Sequence, residues 1–304
     1  MKIFVLYKKI INKLIAKTFG FWQMLGFHIT PVHFYKPIPD TRKLKKELWQ
    51  KRSDMVGIDF NEEKQIKLLS VFVEKLKKEY DLLSDNKSDY GSRLNVENSE
   101  FKSVDAEILY CMVRYFKPKN IIEIGTGYST VLMAQAIEKN KEEYAVECNL
   151  TSIDPYPKKF VKNNMPSFFN LIEKEVQNVS LDEFNKLKEN DILFIDSSHV
   201  LKIGSDVQYE YLEILPRLNN GVVVHSHDIF LPAEYPEEWI LKYHIFFNEQ
   251  YLLQAFLIFN KKFEVLWGGS FMHLNHKELL KNAFNSYSPD VDWPGSFWMR
   301  KNIS

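Results

Sequence analysis

The segment IIEIGTGYST, residues 121–130, constrains the fold more than any other stretch of the chain. A run of isoleucines feeds Gly125-Thr126-Gly127, and Ser129 and Thr130 follow at what reads as the start of a helix. Glycines carry no side chain that would hold a ligand away, so a strand, a glycine turn and a helix in this order bring backbone amides close to whatever binds there. From about residue 100 onward, short apolar runs alternate with helical periods, which predicts a parallel sheet covered by helices on both faces. Strands are expected at 120–124, 150–153, 171–176, 191–195, 221–224 and 263–267, with a late one in PGSFWMRKN at 294–302. The count is seven, mostly parallel, in an α/β pattern. Between residues 196 and 221, Ser205 and Gln208 have the spacing of a capping box at the head of a helix with Val207, Tyr211, Ile214 and Leu218 inward.

With 304 residues, 45% of them hydrophobic, the chain can bury one sizeable core and a smaller appended element. A helix is expected from Asn61, striped by Leu69, Phe72, Val73, Leu76, Tyr80 and Leu83. The polar, turn-rich DNKSDYGSRLNVENSE reads as a linker, and Ser103 as the cap of the next helix. The expected division is a helical N-terminal extension at 1–95 and an α/β domain at 96–304. Cys111 and Cys148 sit in hydrophobic segments without ligand-like spacing, the pattern of reduced thiols in a cytoplasmic protein.

Six lysines and no acid precede Asp40, although the formal net charge of the whole chain is zero. Lysines at 8, 9, 13 and 17 interrupt each apolar run before it reaches the length of a signal peptide or a membrane span. At helical period Ile3, Tyr7, Ile10, Ile11, Leu14 and Ile15 share one face, and Lys2, Lys9, Asn12, Lys13 and Lys17 the other. Such a basic amphipathic helix has two uses: docking on protein, its own domain or a partner subunit, and lying in an anionic membrane surface. These uses correspond to peripheral membrane contact through residues 1–27, at the inner face of the membrane, and to homo-oligomerisation.

The turn itself narrows the ligand. A dinucleotide's pyrophosphate favours a third glycine where Thr130 stands, and Glu123 adds a carboxylate that repels pyrophosphate but suits a cationic amino-acid moiety. Asp154 closes the second strand, where an acid accepts hydrogen bonds from ribose hydroxyls. Adenosine joined to a cationic amino acid describes S-adenosylmethionine (SAM). With EIGTG, the acid after strand two, ILFIDSSH at strand four and the late GSFWMRK, residues 90–304 resemble the class I SAM-dependent methyltransferases. Within them the chain looks most like the bacterial methyltransferase-24 group, similar in layout to catechol and caffeoyl-CoA O-methyltransferases. The resemblance implies a Rossmann-like fold. It places Glu123, Gly125, Thr126, Gly127 and Ser129 at the methionine end, Asp154 at the ribose, Gln177 or Val179 near the adenine, and Asp196 beside the cofactor.

Asp196-Ser197-Ser198-His199 and His225-Ser226-His227-Asp228 end neighbouring strands, so their side chains are expected at the carboxyl edge of the sheet. In catechol-type enzymes the acid after strand four binds a divalent cation and a lysine three residues on is the base. Here those positions hold Asp196 and His199, and histidine titrates near neutrality. The resemblance therefore implies His199 and Asp228 as catalytic residues. Asp196, Asp228 and His227 are the candidate ligands for a divalent metal, with Asp228-Ile229 departing from the family's Asp-Asn pair. The residues after strand five are aromatic and read as a lid, with Phe246, Tyr251, Phe256 and Leu257 as core.

These readings combine into a SAM-dependent O-methyltransferase acting on a hydroxyl of a small molecule or glycan precursor. A non-catalytic SAM-binding or assembly protein and a nicotinamide-dependent oxidoreductase are the alternatives. Neutral total charge, no basic stripe in the catalytic domain and an IDSSH ending to strand four, in place of the Asp/Asn-Pro-Pro-Tyr signature, argue against nucleic acid as a partner.

Overall fold

Strands β1 (Asn120–Ile124), β2 (Asn149–Ile153), β3 (Phe169–Ile172), β4 (Ile192–Ile195), β5 (Val223–Ser226), β6 (Phe263–Gly268) and β7 (Phe297–Lys301) form one sheet in the order β3-β2-β1-β4-β5-β7-β6. The first five are parallel, and β7 runs antiparallel between β5 and β6. The computed structural model describes residues 11–83, 101 and 103–302. The fold is thus the expected Rossmann-like sheet with helices. Its chain winds outward from β1 to β3, then returns to β4 on the other side. The carboxyl ends of β1 and β4 therefore flank a topological switch point, where such sheets leave a crevice.

Successive side chains on the central strands enter opposite cores. Ile121, Ile192, Phe194 and Val223 join Leu109, Leu132 and Trp298 on one face, and Ile122, Leu193, Ile195 and Val224 join Tyr211, Ile214 and Leu253 on the other. Burial on both faces explains why these strands read as continuous apolar runs rather than alternating ones.

The chain divides into two compact units, one of residues up to Gln50 with Pro236–Phe246, the other of Lys51–Tyr235 with the residues from Phe247 onward. The larger unit takes in residues that the sequence reading assigned to the N-terminal extension. The physical reason lies in the helix Glu62–Tyr80, whose Leu69, Phe72, Leu76 and Tyr80 are buried in the same core as Leu109 and Met112. Tyr80 Oη and Lys77 Nζ both donate to the Ala283 carbonyl, at 3.0 and 2.7 Å. In the smaller unit, residues 11–17, Phe19–Met24 and Glu237–Leu241 are helical. The linker at 85–100 and the amphipathic pattern before residue 11 lie outside the described residues.

Two local expectations change. The helix Asp105–Phe116 is opened by Glu107, whose Oε2 accepts the Val104 amide at 2.7 Å, while Ser103 pairs with Ser286 instead of capping. The third strand ends at Ile172, and Val176 falls in a short 3₁₀ turn.

The glycine turn is fixed by a close approach. The Asp196 amide donates to the Ile124 carbonyl at 2.9 Å, and Gly125, at φ +88°, lies against the Asp196 backbone. A Cβ at residue 125 would stand 2.0 Å from the Asp196 carbonyl oxygen. Gly125→Ala is therefore expected to destabilise the fold by about 2–3 kcal/mol. A fall in thermal midpoint with loss of the cleft described below is the expected result; an unchanged midpoint would show that the turn can yield.

Candidate active site

Glu123 ends up inside the protein rather than in the crevice. It is fully buried, and its carboxyl accepts hydrogen bonds from Ser129 Oγ (2.8 Å), Thr130 Oγ1 (2.8 Å) and Ser152 Oγ (2.5 Å). Thr130 Oγ1 in turn accepts the Gly127 amide at 3.0 Å. Burial pushes the Glu123 carboxyl up to about 8 against the pull of the three hydroxyls. Its burial, away from the cleft lining, corrects the expectation of a carboxylate facing a cationic ligand. Glu123 pins the start of the helix Tyr128–Tyr144 to β1 and β2, and Ser129, also buried, belongs to that pin.

The crevice outside the pin is a cleft of about 660 Å³. Gly125, Thr126, Asp154, Gln177, Asp196 and Ser198 line it, together with Glu175, Lys202 and Asp206. Asp154 is already engaged: the Thr126 amide and Oγ1 donate to Oδ2 at 3.0 and 2.5 Å, and the Tyr156 amide to Oδ1 at 2.7 Å. A carboxylate has about four acceptor sites, so one on Oδ1 is left for a ligand hydroxyl. Val179 is buried in the core, which leaves Gln177 as the candidate beside the adenine. The lining carries four carboxylates against one lysine, a poor site for pyrophosphate and a suitable one for a cation.

Asp196, which lines this cleft, also belongs to a largely buried cluster in which two acids and two imidazoles meet. His199 Nε2 lies 3.3 Å from Asp196 Oδ1 and 3.5 Å from Asp228 Oδ2; His227 Nδ1 lies 3.6 Å from Asp196 Oδ1 and 3.5 Å from Asp228 Oδ1. His199 and Asp228 both hold left-handed backbone conformations, φ +57° and +54°, which cost energy in non-glycine residues and cluster at functional sites. Burial disfavours every charge here, yet the groups stabilise one another. Against that burial, His227 and His199 hold Asp196 below the ordinary carboxylate range, while Asp196, Glu249 and Asp228 lift His199 well above the usual imidazole value. Burial lowers and the charges of Asp196, Asp228 and Asp105 raise His227, to about 9 in sum. Asp228 is raised, burial outweighing its imidazole neighbours. Asp196 keeps 30% of its side-chain surface exposed, against 7% for His199.

His225 does not join them. Its ring stacks on Phe194 with centroids 4.0 Å apart, and burial followed by the charge of His227 keeps it neutral. It sits one pleat deeper in β5 than the expected convergence required.

The residues that position His199 were not legible as site residues. Nδ1 of His199 bonds Glu249 Oε2 at 2.9 Å, and Tyr211 Oη donates to Glu249 Oε1 at 2.9 Å. The His199 carbonyl accepts the amides of Asn248 and Glu249 at the head of the helix Glu249–Leu257. Beneath them, Ser197 Oγ donates to the buried Glu210, which opens a π-turn at Glu210–Ile214. Pro216 follows and has no amide to offer the helix ladder, a common setting for such a turn. Asp105 accepts the amides of Gly295 and Ser296 and stands 3.8 Å from His227 Nε2. Of the aromatic stretch after β5, Leu257 is core and Phe256 packs against it, but Tyr251 is 47% exposed and bonds Glu234.

For a metal the fit is incomplete. Among the described residues no group of three or more His, Cys, Asp or Glu side chains is arranged to hold an ion; Asp196, Asp228, His199 and His227 close on each other as ion pairs. For SAM the cleft fits in lining and charge.

Residues 122–229, from β1 to just past β5, match a family described as a methyltransferase domain. An uncharacterised protein of Archaeoglobus fulgidus is 30% identical over 173 residues, 55% of this chain and 76% of that one. Among solved structures, a putative O-methyltransferase from Klebsiella pneumoniae is 15% identical, covering 72% of this chain and 89% of its own, with a TM-score of 0.42. The O-methyltransferase TomG from Streptomyces achromogenes, solved with SAM, is 13% identical over 80% of this chain and all of its own, TM-score 0.42. With the strand order, the glycine turn and the match of residues 122–229 to a methyltransferase domain in agreement, the chain belongs to the class I SAM-dependent methyltransferases.

Proposed function

We propose that the protein transfers the methyl group of SAM to a hydroxyl oxygen of a small molecule or glycan precursor. The observation that supports this most is His199, held by Glu249 on one ring nitrogen so that the other faces Asp228 and Asp196, the latter a residue of the cleft lining. An oxygen nucleophile must lose a proton as it attacks, and a positioned imidazole is suited to take it. SAM, when bound, supplies an electrophilic methyl whose departure leaves a neutral thioether. In this reading the acceptor oxygen forms the new bond to carbon and its proton passes to Nε2 of His199. Asp154 takes a ribose hydroxyl, and the Gly125–Gly127 turn lies against the methionine end. The non-catalytic and nicotinamide readings have no comparable observation.

In the free protein His199 already carries a proton, because its carboxylate neighbours hold its pKa well above the usual value. The basic form therefore grows as pH rises, and turnover is expected to climb through that raised pKa rather than to level off near 6.5. A divalent cation, for which Asp196, Asp228 and His227 are the candidates, would compete with the protons on His199 and His227. Turnover lost in EDTA and restored by Mg²⁺ or Mn²⁺ supports the ion; turnover indifferent to both leaves these residues to proton transfer and hydrogen bonding.

His199→Ala is expected to lower turnover by about 100-fold or more while SAM affinity stays unchanged, measured with labelled SAM on a hydroxyl-bearing acceptor panel; full turnover would remove His199 from the base role. Glu249→Gln removes a charge that raises the His199 pKa, so an NMR titration of the imidazole is expected to move to lower pH in the variant. An unmoved titration would show that Glu249 does not govern this group.

A further inference from the structure

We propose that residues 11–38 form a peripheral docking surface for an anionic lipid bilayer. Residues 11–17 and Phe19–Met24 are helical, and at 100° per residue Ile11, Leu14, Phe21 and Leu25 fall in one sector, with Lys13 and Lys17 flanking one edge of it. All four apolar residues are exposed, Leu14 at 62%. The segment that follows adds exposed aromatics, Phe27, Phe34 and Tyr35, the last two more than 80% exposed. A chain seldom leaves so many large apolar side chains open within one short segment without a partner for them.

Charge selects that partner. Between residue 11 and Asp40 the charged side chains are Lys13, Lys17 and Lys36, and no acid stands among them. Lysines beside an exposed apolar face suit a bilayer with anionic headgroups: the aromatic and aliphatic side chains enter the interface while the ammonium groups stay at headgroup level. A protein partner of ordinary composition would supply no reason for the complete absence of acids. Among the described residues no helix is long and apolar enough to cross a membrane, so the mode is lying on the surface, not spanning. A methyltransferase held there would meet acceptors carried on lipid or delivered at the membrane.

The test is flotation of the full chain with phosphatidylcholine vesicles containing about a third phosphatidylserine, and with phosphatidylcholine alone. Recovery with the anionic vesicles, reduced by salt, is expected. Lys13→Gln combined with Lys17→Gln should weaken it about 30-fold, at about 1 kcal/mol per lysine near an anionic surface. Phe21→Glu with Leu25→Glu should abolish it with an unchanged thermal midpoint, since both side chains are exposed. No recovery with anionic vesicles, or equal recovery with neutral ones, overturns the proposal. So does a stable oligomer in solution that Phe21→Glu with Leu25→Glu converts to monomer, which would assign the surface to a second copy of the chain.

Discussion

The structure depends on the contact between the Gly125 turn and the backbone of Asp196. That contact joins the carboxyl ends of β1 and β4 at the point where strand order reverses, so it sets the floor of the cleft and the origin of the acid–imidazole cluster together. Only a residue without Cβ permits it. Behind the turn, Glu123 holds three hydroxyls from the helix start and β2, which fixes the angle at which the helix leaves the sheet. The cleft and the acid–imidazole cluster thus share one junction.

On the reaction side the governing constraint is desolvation. Asp196, His199, His227 and Asp228 would each be costly to bury charged and alone, and removing one partner of a buried pair typically costs about 3–5 kcal/mol. Their mutual ion pairs resolve this, with Asp105 and Glu249 adding charge from behind. The same arrangement keeps His199 protonated at rest and ready to titrate at raised pH. Its strained backbone is held by the amides of Asn248 and Glu249 on its carbonyl.

Much of the fold was legible in the sequence because the central strands are buried on both faces and so appear as apolar runs ended by glycine or acid. The cleft residues Gly125, Thr126, Asp154 and Asp196 were legible for the same reason, each closing such a run. Glu123 was misread because a carboxylate two residues before a glycine shows its charge in the sequence but not its burial. His225 was misread because depth along β5, not adjacency, decides which histidine reaches the edge. Glu249, fifty residues from His199, Glu210 in its π-turn and Asp105 on an earlier helix are joined to the site only by tertiary packing. The domain boundary moved because the stripe of the helix Glu62–Tyr80 matches the core of the sheet, and periodicity alone does not say which core a stripe will join.

The central claim is that the acidic cleft beneath the Gly125 turn is a SAM site. Calorimetric titration of the folded protein with SAM, its demethylated product and NAD⁺, repeated on Asp154→Ala, tests it most directly. The account predicts saturable binding of SAM and its product, none of NAD⁺, and severe weakening in the variant. Absence of SAM binding to protein shown to be folded, or affinity unaltered by Asp154→Ala, would contradict it.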